Sequence, residues 1–337
     1  GYLNKGNKDF LLKEVEEYKS NKYVETLRES NKPYSSFKEY IAYMNIAHKL
    51  YQENIEVVFI SDHNTVSGFH KLKYALNEYY VERIKITEGR RTNCIYLFLG
   101  VEISCSDQNH LVVIYDNNRI NELEVYLDEI VLSQEYGSFL DSRSIIEDIS
   151  KQGGLAYLAH LNSSKWLGSM AYKKKLYNMK ELQLIGIKDL NQKSSVISKL
   201  GAYVSEAEDR FSFINEGDSH NIADIGINTS WIKFNKIDFT SLEKAIANRK
   251  ICIYDKKPRK SNKFIKGIVS IPGDYGFLKN NHEKLVFSNK EEDVFSVYFS
   301  RDLNCIIGGR GTGKSTLLNM VEIIYSQETD NKKTLKF

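Results

Sequence analysis

An α/β architecture is expected for this chain from two features. Short β-branched and aromatic runs alternate with helical patterns over roughly 200 residues. Four of those runs also end on side chains able to ligate a metal. Val57–Ile60 breaks into Asp62-His63 and a polar turn, Cys94–Val101 ends on Glu102, Gly154–Ala159 on His160, and Phe211–Ile214 is followed by Asp218-Ser219-His220. If these are strands of an α/β barrel, their carboxyl ends carry the functional side chains, and His63, Glu102, His160, Asp218 and His220 form a metal-ligand set.

In chain order, the charged stretch 11–30 places Leu11, Val15 and Tyr18 at helical spacing, which predicts a solvent-facing helix. Ser36 with Glu39 forms a capping box for a second helix, whose apolar face carries Phe37, Ile41, Met44, His48 and Tyr51. His48 on that face, and His70 beside the stripe Phe69, Leu72, Leu76 and Tyr79 of the next helix, are read as packing residues rather than ligands. The strand Ile55–Ile60 separates the two helices. His110 directly precedes the run Leu111–Tyr115, so it starts its strand; to share a site with Glu102, either that strand runs antiparallel or the barrel is distorted. Helices are expected over 120–132, 142–151, 191–200 and 239–247, and further strands at Leu182–Ile187 and Thr229–Lys233.

Composition narrows the function classes. With 42% hydrophobic and 27% charged residues the chain is a globular protein, and 337 residues allow two domains. A net charge of +3 provides no global attraction to nucleic acid or membrane, so any such surface must be local. No apolar run approaches the roughly 18 residues that span a bilayer. Cys94, Cys105, Cys252 and Cys305 are scattered without a CxxC pair, and Cys94, Cys252 and Cys305 sit in runs read as buried strands, which fits reduced thiols in a cytoplasm.

The Asp62-His63 turn, Gly100-Val101-Glu102-Ile103, His110 ahead of an apolar strand, Ala159-His160 and Asp218-Ser219-His220 together resemble the PHP (polymerase and histidinol phosphatase) phosphoesterases. That resemblance implies a distorted (β/α)7 barrel over residues 1–255 holding two or three divalent metals, drawn from Mn, Zn, Fe or Mg. It implies that Glu102 bridges metals, that His110, His160 and Asp218 share one site with it, and that His63 and His220 belong to another. His63, Glu102, His160, Asp218 and His220 would be the catalytic set. Imidazole binds such metals as a neutral donor, while a carboxylate can bridge two cations and offset their repulsion. The family's opening His-x-His pair is absent before His63. Either the pair lies upstream or the domain is degenerate; Gly1 in place of a methionine favours a segment of a longer protein.

Residues 256–263 are basic and nearly free of apolar side chains, which reads as an interdomain linker or, alternatively, a phosphate-backbone contact. Beyond it, strand-like runs (267–271, 284–287, 294–299 and 303–307) lead to Gly308-Gly309-Arg310-Gly311-Thr312-Gly313-Lys314-Ser315, which fits G-x-x-x-x-G-K-[ST]. Gly308, Gly311 and Gly313 would let backbone amides turn toward phosphates, Lys314 would reach the β and γ phosphates, and Ser315, ahead of Thr316, would ligate Mg²⁺. This run resembles the start of ABC or SMC-like ATPases, so 264–337 is expected to be the first part of an ATPase domain that binds ATP with Mg²⁺.

A PHP barrel followed by such a loop is similar to the PHP-ATPase fusions, including the TrlF-like group. The resemblance implies a metal-dependent phosphoesterase, a nuclease, coupled to an ATPase in bacterial defence or nucleic-acid processing. It further implies a nucleic-acid substrate and a homo-oligomer assembled through the complete ATPase domain; no membrane partner is expected, from the absence of a long apolar run. Two alternatives stay open: a small-molecule phosphatase of the histidinol-phosphate type, and a non-catalytic PHP scaffold of an ATP-driven machine.

Overall fold

The computed structural model describes residues 32–81, 94–258, 264–270, 295–300 and 304–325. The chain divides into two compact units, Gly1–Pro258 and Arg259–Phe337. The expected helix over 11–30, the strand at 284–287 and linker residues 259–263 lie outside the described residues.

The first unit is built on a mixed sheet of six strands in the order β1-β2-β3-β6-β7-β8. These are β1 (Val57–Ile60), β2 (Tyr96–Ser104), β3 (His110–Tyr115), β6 (Leu155–Leu158), β7 (Leu184–Ile187) and β8 (Ser212–Asn215). The barrel reading anticipates seven strands; this sheet has six among the described residues, and no pairing of β8 with β1 is among them. All neighbours are parallel except β3, which runs antiparallel to both β2 and β6. That reversal resolves the question of His110: it starts β3, yet pairs with Ser104 at the carboxyl end of β2.

Strand alternation assigns the two faces. On β2, Leu97, Leu99, Val101 and Ile103 enter one core together with Leu111, Val113 and Tyr115 of β3. Into the same core pack α1 (Phe37–Gln52), α2 (Gly68–Tyr79), α3 (Ile120–Ile130), α4 (Ser142–Lys151), α5 (Met170–Tyr177) and α6 (Lys193–Leu200). The opposite face presents Phe98, Val112, Ile114 and Leu184 to a smaller core closed by Phe239, Leu242 and Ile246 of the helix Phe239–Ala247. Both faces of β2 are therefore buried, which is why its sequence is a nearly continuous apolar run rather than an alternating one.

Several expectations shift in detail. Strand β2 continues past Glu102 to Ser104, because β3 extends the ladder, so Glu102 is an interior strand residue. The helix expected over 120–132 stops at Ile130, and Val131–Ser133 turns into a hairpin, β4, with β5 (Gly137–Ser138). Gly137 has φ of 73°, and a Cβ there would meet the Ser104 carbonyl at 2.4 Å, so the hairpin closes tightly over the end of β2. The helix α5, capped by Ser169, was not anticipated. The capping box is half formed: Ser36 accepts from the Glu39 amide at 3.2 Å, but the Glu39 carboxylate turns to Ser35 and Lys71. His48 does pack, with Nδ1 2.6 Å from the Tyr79 hydroxyl. Of the cysteines only Cys105 is buried; Cys305 is exposed, and none forms a disulfide.

In the second unit, the strand Gly267–Ser270 pairs antiparallel with the strand Phe295–Tyr298, and a helix spans Lys314–Tyr325. The strand expected over 303–307 is not formed in its described residues, 304–307. No ladder among the described residues includes them, and Ile307 is 92% exposed. No helix among the described residues is long and apolar enough to cross a membrane.

Candidate functional site

The same alternation that sorts the cores places the site. Glu102 shares its face with Phe98, and His110 shares its face with Val112 and Ile114, so both project on the side opposite the large core. His63 continues the parity of Val57 and Phe59, which pack into the smaller core, and it forms a parallel bridge with Glu102. Asp62 falls on the other parity. Its carboxyl is raised by burial and accepts from the Gly68 amide at the start of α2, so the Asp-His pair splits into one residue that ties down the helix start and one site residue.

His160 reaches the same face by a different route. On β6, Ala156 and Leu158 point to the large core, so strict alternation would send residue 160 there as well. Instead His160 has φ 31° and ψ 48°, a left-handed conformation that redirects its side chain.

Three imidazoles consequently meet one carboxylate oxygen. Glu102 Oε1 lies 2.5 Å from His110 Nδ1, 3.0 Å from His160 Nε2 and 4.0 Å from His63 Nδ1. Glu102 is only 4% exposed. Burial works to raise its carboxyl, but the hydrogen bonds from His110 and His160 outweigh burial and hold it well below the usual carboxylate range. For His160, burial favours the neutral ring, and the Glu102 contact outweighs it and raises the imidazole. The ligand atoms of His63, Glu102 and His110 all fall within 4.8 Å of one another. An ionised, buried oxygen ringed by imidazole nitrogens is a donor set that suits a divalent cation of the Zn, Mn or Fe type.

Asp218 and His220 are placed in a neighbouring cluster. Asp218 Oδ1 is 3.4 Å from His220 Nε2, and its other oxygen pairs with Lys188, which follows β7. His220 is largely exposed.

Between the two clusters stands Glu216, which sequence reasoning did not single out. Its carboxylate accepts the His160 backbone amide at 2.5 Å and a bond from Tyr157. Desolvation pushes this carboxyl up to about 7, against the lowering effect of His160. The position is made possible by Gly186 on β7: a Cβ there would lie 2.1 Å from the Glu216 carboxyl carbon. The available signal was a strand glycine two residues ahead of Lys188 and an acidic residue closing β8, each ordinary alone. Gly186→Ala is therefore expected to displace Glu216, release the His160 amide and destabilise the fold by about 1–3 kcal/mol. Thermal denaturation of the two proteins checks this; an unchanged Tm would mean that Glu216 is free to move aside.

In the second unit, Gly311 and Gly313 have φ of 82° and 81°, the left-handed backbone that glycine adopts without strain. A Cβ on Gly308 would meet Thr312 Oγ1 at 2.6 Å. Lys314 folds back over the loop, donating to the carbonyls of Gly308, at 2.7 Å, and Gly309. Ser315 and Thr316 follow in the first turn of the helix that Lys314 opens.

The first unit is thus a mixed α/β domain with a histidine-ringed carboxylate on one sheet face, and the second carries a glycine loop leading into a helix. No protein-family model matches the chain. It is 33% identical over 150 residues to an uncharacterized protein of Streptococcus pneumoniae serotype 4 (strain ATCC BAA-334 / TIGR4), a match covering 43% of this chain and 56% of that one. The chain thus spans about half the length of that relative. Among solved structures it is similar to the lesion-specific endonuclease Q of Pyrococcus furiosus, with a TM-score of 0.44 and 14% identity over 60% of this chain and 50% of that one. An endonuclease Q complexed with a 27-mer duplex bearing an abasic lesion aligns with a TM-score of 0.41 and 15% identity, covering 60% and 51%. PsfC from Pseudomonas syringae aligns with a TM-score of 0.37 and 10% identity, covering 59% and 77%.

Proposed function

We propose that the first unit is a divalent-metal-dependent phosphoesterase of the PHP type, a nuclease, and that the second is the nucleotide-binding start of an ATPase to which it is coupled. The observation that carries the reading is the convergence of His63, His110 and His160 on Glu102 Oε1. Those four residues would hold a cation, with Asp218 and His220 completing the set from the adjoining cluster. Such an ion supplies Lewis acidity toward a phosphoryl oxygen and acidifies water for attack on phosphorus. The chain's own contribution is preorganisation. Glu102 brings a buried negative charge, Glu216 fixes the His160 backbone, and the left-handed turn at His160 aims its ring.

For the second unit, the glycines at positive φ and the lysine closing the loop support ATP binding with Mg²⁺, through Gly308, Gly311, Gly313, Lys314, Ser315 and Thr316. In this reading the bonds of Lys314 to the loop carbonyls are exchanged for bonds to phosphate. The remaining parts of the proposal rest on the resemblance to PHP-ATPase fusions: residues 1–255 and 264–337 as the two domains, a homo-oligomer built through the complete ATPase, and a cytoplasmic role in defence or nucleic-acid processing.

The test is incubation of the chain with Mn²⁺ and polynucleotides. Cleavage that is blocked by a chelator and falls as salt screens the phosphate contacts is the expected result. Turnover of histidinol phosphate without cleavage of DNA or RNA would assign the site to a small-molecule phosphatase instead, and turnover of neither would favour a scaffold.

A further inference from the structure

The loop 105–109 delivers His110 to the site, and two exposed surfaces are anchored to it. The β4–β5 hairpin holds its beginning: Ser106 donates its amide to the Leu140 carbonyl at 2.9 Å, and Asn64, next to His63, donates to the Gln134 carbonyl at 3.0 Å. This hairpin leaves Tyr136 77% and Phe139 54% exposed. The segment after His160 holds the end of the same loop. Tyr172 bonds Asp107 at 2.7 Å, Lys165 bonds Gln108 at 3.1 Å, and Ser164 bonds Asn109 at 3.2 Å.

That second segment is unlike the rest of the chain in charge. Residues 161–180 include Lys165, Lys173, Lys174, Lys175 and Lys180 and no acidic residue, although the whole chain carries only +3. Lys173 is engaged with the Trp166 carbonyl and the Tyr203 ring, whereas Lys165, Lys174 and Lys175 are exposed. One surface anchored beside the site therefore offers aromatic faces, and the other offers cations.

Resting on the phosphoesterase reading above, we propose that the site takes its polynucleotide as a single strand, with unpaired bases stacking on Tyr136 and Phe139 and backbone phosphates following Lys165, Lys174 and Lys175. Every base has a face that an aromatic ring can cover without regard to sequence, and in a duplex those faces are already occupied by neighbouring bases. An apolar protein partner would account for the rings but not for the acid-free lysine segment; a polyanion with aromatic bases accounts for both.

The test uses the full chain in EDTA, so that no strand is cut, and follows fluorescence anisotropy of a labelled oligothymidylate and of the same strand in a duplex. The single strand should bind more tightly. Tyr136→Ala with Phe139→Ala should weaken it by about thirtyfold or more, the loss of two stacked bases. Tyr136→Phe, which keeps the ring, should bind as wild type does. Changing Lys165, Lys174 and Lys175 together to Gln should flatten the slope of log affinity against log salt by about 2, as expected for three lost contacts to a single strand. Equal binding of single strand and duplex, or wild-type binding by either multiple variant, would overturn the proposal. Hydrolysis of bis(p-nitrophenyl) phosphate by the wild-type chain with Mn²⁺ reads the phosphoesterase site separately. Hydrolysis without strand preference would remove only the single-strand inference, whereas no hydrolysis with any divalent cation would remove the reading on which it rests.

Discussion

Glu102→Gln is expected to strip the first unit of its divalent cation and to lower Mn²⁺-dependent phosphodiester hydrolysis by about 10³-fold or more. The substitution keeps the volume of a side chain that is only 4% exposed and removes its charge, so the effect is electrostatic rather than one of packing. Three imidazoles at 2.5, 3.0 and 4.0 Å from one oxygen would then face a neutral amide. A cation among these imidazoles then lacks the buried anionic partner at their centre that offsets its desolvation. The rate follows from the stabilisation of transition-state charge lost with the ion, several kcal/mol, at about 1.4 kcal/mol per tenfold. Elemental analysis of both proteins, alongside diester turnover, checks it. Wild-type metal content in the variant would mean that Glu102 is a packing residue with histidine neighbours and no more.

Lys314→Ala is expected to lower ATP affinity by about ten- to a hundredfold, the loss of one charge-assisted hydrogen bond to phosphate, and to abolish ATP hydrolysis in the assembled ATPase. Hydrolysis in ABC-like ATPases also needs a carboxylate that positions water, so turnover is read in the assembled ATPase and affinity in this chain. The metal content of the first unit should not change, since among the described residues Lys314 bonds to Gly308, Gly309 and Thr312 of its own loop. Binding of a fluorescent ATP analogue, paired with elemental analysis, separates the outcomes. Undiminished nucleotide binding would remove the phosphate-loop assignment, and loss of the metal would contradict the division into two functional units.

Much of this architecture was legible because it is governed by neighbours in sequence. The helix Ser142–Lys151 matches its expected bounds, since Asp141 caps it locally by accepting from the Ser144 amide. Phe239–Ala247 matches for the same reason through Asp238 and Ser241. Period-two alternation likewise marks where strands run, and the glycines of the G-x-x-x-x-G-K-[ST] run stand out by spacing. The short run at 304–307 had the same apolar pattern and formed no strand, because pattern supplies propensity but not a partner to pair with.

The local pattern left open which strand ends would meet, and in which direction. Whether His110 shares a site with Glu102 depends on β3 running against both neighbours, a property of the whole sheet. His160 joins them through a left-handed backbone that local preference disfavours and that its surroundings must hold, including the Glu216 contact to its amide. Glu216 itself gains its place from the missing Cβ of Gly186 on the adjacent strand. Residue type and spacing thus named the candidate ligands His63, Glu102, His110, His160, Asp218 and His220. Long-range packing separated them into a histidine-ringed carboxylate and an Asp218–His220–Lys188 cluster, because hydrogen bonds and excluded volume between distant segments act only once the sheet has assembled.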